Sequence, residues 1–124
     1  MTAKLEPDEL IRRIKKALSK GGDTHTWEDV YAGLQEGKYQ FFQKGGGVCI
    51  TQVHQAPQVR YLHYFIVAGD MQDCLDLQPE IEAFAKAQGC KYVTSSGRMG
   101  WRKVLPNYGW KETHVVYQKE LINE

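Results

Sequence analysis

The sequence predicts one α/β domain built on a mixed sheet flanked by helices, and three features carry that prediction. An apolar stripe at helical spacing opens the chain; the run from Val59 to Ala68 is apolar or aromatic on both alternating faces; and a helical stripe from Gln78 to Gln88 leads straight into a strand-like run at Cys90. A strand covered on both sides, then a helix, then a second strand makes a βαβ unit, whose crossover implies a parallel pair. The hairpin upstream requires antiparallel pairing, so the sheet is expected to be mixed.

Size and composition fit a single domain spanning residues 1–124. The chain has 124 residues, 42% apolar and 25% charged, enough to bury one core. No apolar run approaches the ~18 residues of a membrane span. Arg12, Arg13, Lys15 and Lys16 interrupt the first apolar segment, so neither a leader nor a membrane span is expected. A net charge of +1 and a pI near 7.7 nominate neither nucleic acid nor an anionic membrane as partner. Cys49, Cys74 and Cys90 are odd in number and form no C-x-x-C pair, so they read as buried, reduced thiols of a cytosolic setting.

The elements follow in order. Pro7 to Lys20 carries Leu10, Ile11, Ile14, Ala17 and Leu18 on one helical stripe, with Gly21 and Gly22 as the stop. Its basic face, Arg12, Arg13, Lys15 and Lys16, reads as a solvated helix surface and is assigned no function. Thr26 and Asp29 have capping-box spacing ahead of Trp27, Val30, Tyr31 and Leu34, and Gly37 ends that helix. Lys38 to Lys44, then Gly45-Gly46-Gly47, then Val48 to Val53 read as a hairpin; the glycines lie between two strands, so a turn is expected rather than a phosphate cradle. Val59 to Ala68 is the expected central strand, Gln78 to Gln88 the crossover helix and Cys90 to Thr94 its parallel partner. Met99 to Leu105 is read as a short helix, and Thr113, Val115 and Tyr117 alternate as a last strand.

This order, with a short helix closing on Gly109-Trp110, resembles the GNAT acyltransferases over most of the chain. The resemblance implies an acyl-CoA phosphate loop after the central strand, where this chain has Gly69-Asp70-Met71-Gln72-Asp73-Cys74-Leu75-Asp76. Of these, only Gly69 allows close backbone approach, while Asp70, Asp73 and Asp76 set negative charge beside a negative ligand. The family's frequent tyrosine acid falls on Leu105 here, with Tyr108 nearby in another register. The pieces "E-A-F-A-K-A-Q-G-C" and "G-R-M-G-W-R-K-V-L" look closer to small GNAT-like proteins of tailed bacteriophages, some of them internal virion proteins.

Other constellations are sparse. Arg98, Trp101 and Arg102 gather positive charge around an indole and form the candidate interaction site. His25, His54, His63 and His114 lack metal-ligand spacing, although His63 and His114 could meet if their strands paired, so no metal is expected. No G-x-S-x-G elbow or thiol-nucleophile signature is present. The leading expectation is a non-catalytic GNAT-like virion or host-interaction protein, found in a virion or host cytoplasm. It would act without a cofactor through a protein partner, such as phage structural proteins, or through self-association. The alternative is an N-acyltransferase using acetyl-CoA, with backbone at Val67, Ala68 and Gly69 polarising the thioester and Tyr108 as acid. A third expectation is nucleic-acid binding through Arg98, Arg102 and the basic first helix.

Overall fold

The computed structural model describes residues 6–97 and 99–122. The first helix, α1 (Pro7–Lys20), starts on proline with Asp8 and Glu9 in its first turn and buries Ile14 and Leu18. The second, α2 (Trp27–Gln35), is held by a complete capping box. The Asp29 amide donates to Thr26 Oγ1 at 3.1 Å, and the Thr26 amide donates to Asp29 Oδ2 at 2.9 Å.

Strands β1 (Gln40–Lys44) and β2 (Gly47–Gln55) form the expected hairpin, and β3 (Arg60–Gly69) pairs antiparallel with β2. A short helix, α3 (Met71–Asp76), precedes α4 (Gln78–Ala87), and β4 (Tyr92–Ser95) lies parallel to β3. The sheet order is β1-β2-β3-β4, so the mixed sheet and its βαβ unit are as the sequence predicts.

The two faces of the sheet carry separate cores. Ile14, Leu18 and Val30 from the first two helices pack on Val48, Ile50, Ile66 and Ala68. Leu77, Ile81 and Ala85 pack on Cys49, Leu62 and Tyr64 on the other side. A bulge joins these arrangements. Ile50 faces Ile66 but Thr51 faces Tyr64, which leaves Phe65 as an extra residue in β3. Leu62 and Tyr64 before the bulge belong to the α4 side, whereas Ile66 and Ala68 after it belong to the α1 side. Strict alternation would have kept all four on one face.

Two expectations near the carboxy end are corrected. Met99 to Leu105 does not form an α-helix; two 3₁₀ turns, Met99–Trp101 and Leu105–Tyr108, take its place. Gly100 weakens a segment already too short to nucleate an α-helix, and Pro106 removes a donor, so the chain tightens instead. Thr113, Val115 and Tyr117 alternate but form no strand. Among the described residues no strand lies on the outer edge of β4, and Val116 and Tyr117 are exposed at 74% and 91%. Alternation specifies a strand only when an edge accepts its backbone groups. Among the described residues no helix is long and apolar enough to cross a membrane.

Candidate functional site: a cleft where two parallel strands part

The pairing of β3 with β4 ends at Tyr64 and Ser95. Residues 65–69 of β3 continue with no described strand on that side, because β4 ends at Ser95, and a cleft lies along that open edge. A cavity of about 160 Å³ occupies its inner part, walled by Tyr64 and Val67 on β3, Cys74 and Gln78 below, and Ser95 and Trp110 opposite. A larger cavity of about 440 Å³ lies farther along, over Val67, Ala68 and Gly69. Ala17, Val67 and Trp101 line both, so the two form one groove.

The inner wall is held by aromatic and amide contacts. Trp110 Nε1 donates to Gln78 Oε1 at 2.8 Å, and the Trp110 ring stands edge-on to Tyr64 at 5.5 Å. The Tyr64 hydroxyl is buried and has no hydrogen-bond partner among the described residues. Burial, followed by the nearby Cys49 and Glu82, pushes this phenol up, so it keeps its proton. A hydrogen bond with Cys74, and then burial, push the Cys49 thiol up as well, which leaves it a poor nucleophile.

The outer cavity is basic on one side. Arg12, Arg13, Lys16 and Lys20 of α1 line it opposite Gly69 and Asp70. Glu9 ties down both arginines, accepting from Arg12 at 2.8 and 2.6 Å and from Arg13 at 3.0 Å. Hydrogen bonds from Arg12 and Arg13 hold the Glu9 carboxyl down at about 2. Arg13 also donates to the Gly46 carbonyl at 2.7 Å. Among the described residues Lys16 and Lys20 make no ion pair.

The start of α3, where the resemblance implied a phosphate loop, is partly taken up by the protein's own groups. Asp70 accepts from the Asp73 amide at 3.0 Å, Asp73 accepts from the Gly46 amide at 2.9 Å, and the Asp70 amide donates to the Gly46 carbonyl at 3.0 Å. The glycines of the hairpin serve this packing: a Cβ on Gly69, whose φ is +89°, would sit 2.0 Å from the Gly46 carbonyl oxygen. As expected, they form a turn between strands.

The sequence-derived site residues are thus dispersed. Val67, Ala68 and Gly69 lie in the cleft, and the half-buried Trp101 stands where its two cavities meet. Arg102 is exposed and pairs with Glu112, away from both cavities, and Arg98 lies outside the described residues. Tyr108 is 46% exposed and lines neither cavity. His63 does not meet His114; it bonds Thr94 at 2.8 Å through Nδ1, while His114 is exposed beside Thr113. Among the described residues no group of histidine, cysteine or carboxylate side chains could hold a metal. Cys90 is only half-buried, unlike Cys49 and Cys74. Sequence reasoning missed Tyr64, and it read the basic face of α1 as a solvated surface or a nucleic-acid contact without grouping Arg12, Lys16 and Lys20, which recur every four residues and so share one stripe.

A four-stranded mixed sheet with a parallel β3-β4 pair, flanked by helices, defines an α/β fold. Comparison with solved structures identifies it as GNAT-like. Glucosamine-6-phosphate N-acetyltransferase from Arabidopsis thaliana matches with a TM-score of 0.65 at 13% identity, over 97% of each chain. An acetyltransferase from Trypanosoma brucei gives 0.64 at 12% identity, over 94% of this chain and 96% of that one. A GNAT family acetyltransferase from Staphylococcus aureus gives 0.58 at 13% identity, over 98% of both. At such identities the likeness is one of fold. No protein-family model matches the sequence, and no curated protein does so.

Proposed function

We propose that this chain is an N-acyltransferase that takes its acyl group from a CoA thioester. The observation that carries the proposal is the divided cleft. Its inner part is the smaller and is lined by aromatic and apolar side chains with Gln78 and Ser95, its outer part carries four cations of α1, and both lie along the open edge of β3. Such a thioester has the same division, with an acyl group at one end, phosphates at the other, and an amide-bearing arm that can bond a strand edge. The residues present therefore fit it, although the start of α3 does not supply the phosphate site. The acetyltransferases among the structural neighbours support this reading over the adaptor, and no comparison supports the virion expectation.

In the reaction an amine nitrogen attacks the thioester carbonyl. The C–N bond forms, the C–S bond breaks, the nitrogen loses a proton and the departing sulfur gains one. Backbone N–H groups on the open edge of residues 65–69 are suited to polarise the carbonyl oxygen. Tyr64 replaces Tyr108 as the proposed proton donor, since its side chain lines the inner cavity and its hydroxyl has no partner among the described residues.

Calorimetric titration with acetyl-CoA, followed by thiol release in the presence of a panel of amines, tests the proposal. One-to-one binding is expected. Folded protein that binds no acetyl-CoA refutes it and restores the adaptor reading. That second reading rests on Val116, Tyr117, Leu121 and Ile122, which are 74%, 91%, 88% and 86% exposed and offer apolar surface to a protein partner or a second copy.

A further inference from the structure

We infer that the phosphate-binding groups of this cleft come from α1, with Lys16 and Lys20 as the principal ligands and Arg12 beside them. The inference rests on the acyl-CoA reading above and moves its phosphate site from the strand-to-helix turn to the helix across the groove.

Elimination among the groups lining the outer cavity leads there. The turn at Gly69 and Asp70 has two of its donors already committed, because the Asp73 amide goes to Asp70, and the Asp70 amide goes to Gly46. Asp70 and Asp73 further set two carboxylates where an anion would have to approach. Across the cavity the balance reverses. Arg13 is committed to Glu9 and to the Gly46 carbonyl, and Arg12 shares Glu9 with it, so one carboxylate offsets only part of two guanidinium charges. Lys16 and Lys20 have no described carboxylate partner, and both line the cavity. Each ammonium brings three donors on a flexible stem, suited to a phosphate as a point charge.

Spacing supports the same assignment. Arg12, Lys16 and Lys20 lie four residues apart, so their side chains form a stripe about 12 Å long on one face of α1. The stripe runs beside Val67 and Trp101, which also wall the inner cavity, so a ligand anchored on it can extend inward along β3. Glu9 acts as the brace that fixes Arg12 at the far end of the stripe.

The test compares acetyl-CoA with S-acetylpantetheine, which keeps the thioester arm and lacks the nucleotide phosphates, on the full chain and on Lys16→Ala and Lys20→Ala. Both lysines are exposed and alanine suits a helix, so the variants should fold, as thermal melts would verify. Each substitution is expected to weaken acetyl-CoA binding about tenfold, the loss of one charge-assisted bond. S-acetylpantetheine binding should stay unchanged, and the salt dependence of acetyl-CoA binding should flatten in the variants. Undiminished acetyl-CoA binding by both variants overturns the α1 site and leaves the acyltransferase reading standing. Pyrophosphate binding that depends on the two lysines, in a protein that ignores acetyl-CoA, supports the site and overturns the acyltransferase reading. A protein that binds neither overturns both.

Discussion

Replacing Gly69 by alanine should destabilise this protein far more than the same change at Gly109, although the two have nearly the same φ. Their φ angles are +89° and +88°, so both substitutions incur left-handed strain of about 1–2 kcal/mol. At Gly109 that is the whole cost, because a new Cβ meets nothing within 4 Å. At Gly69 the Cβ would lie 2.0 Å from the Gly46 carbonyl oxygen, a backbone atom that cannot swing aside. Gly46 must move, and its carbonyl then loses two donors, the Asp70 amide at 3.0 Å and Arg13 Nη1 at 2.7 Å. A neutral bond contributes about 1 kcal/mol and one from a charged group about 2 kcal/mol, which brings Gly69→Ala to roughly 4–5 kcal/mol. For a domain stable by about 5–15 kcal/mol this is a large fraction, and it should lower the urea midpoint by roughly 2–3 M. Equilibrium urea unfolding of wild type, Gly69→Ala and Gly109→Ala measures it. Variants that agree within about 1 kcal/mol would show that Gly46 and Gly69 do not touch as described.

Two further perturbations probe the cleft and the sheet. Tyr64→Phe should retain or raise thermal stability, by about 1 kcal/mol, because it removes a buried hydroxyl with no described partner. Acetyl transfer by the same variant should fall about a hundredfold or more, the lower range for loss of a positioned acid. Marked destabilisation would show that the hydroxyl is bonded, and unchanged turnover would remove Tyr64 from the chemistry. Burial, and then the charge of nearby His54, lower the His63 pKa. A base with a lowered folded value is held neutral by the fold, while the unfolded chain takes the proton first. Stability from this group is therefore complete above the unfolded value near 6.5 and is lost as pH falls through that value to the lower folded one. Urea midpoints at pH 7.5 and 5.5 should show the acid loss, and His63→Asn should reduce it; an identical pH dependence would assign the loss to other groups.

The elements that the sequence made legible are those whose pattern needs no partner to be read. α1 has its stripe and proline start, α2 its capping box, the hairpin its glycines, and α4 its apolar face between Pro79 and Gly89. What could not be read depends on contact at a distance. Phe65 is an extra residue in β3 only because β2 pairs differently on either side of it, and an all-apolar strand gives no local sign of where its faces exchange. Asp70 and Asp73 look like loop charges until they are seen to cap α3 and hold Gly46. The site divides in the same way. Val67, Ala68 and Gly69 follow from the order of elements, but the stripe on α1 reads as a solvated face until the open half of β3 lies beside it. The 115–117 alternation misled for the converse reason, since it is a local pattern for which no described partner strand exists.

The bulge at Phe65 also divides β3 into two stretches that answer to different constraints. The buried residues before it, Leu62 and Tyr64, must satisfy the packing of α4, and the buried residues after it, Ile66 and Ala68, must satisfy that of α1. Side chains on one stretch can therefore vary without forcing compensation on the other. A scaffold of this kind can repack one face while its crossover unit stays as it was, so the two cores are free to evolve along one strand at separate rates.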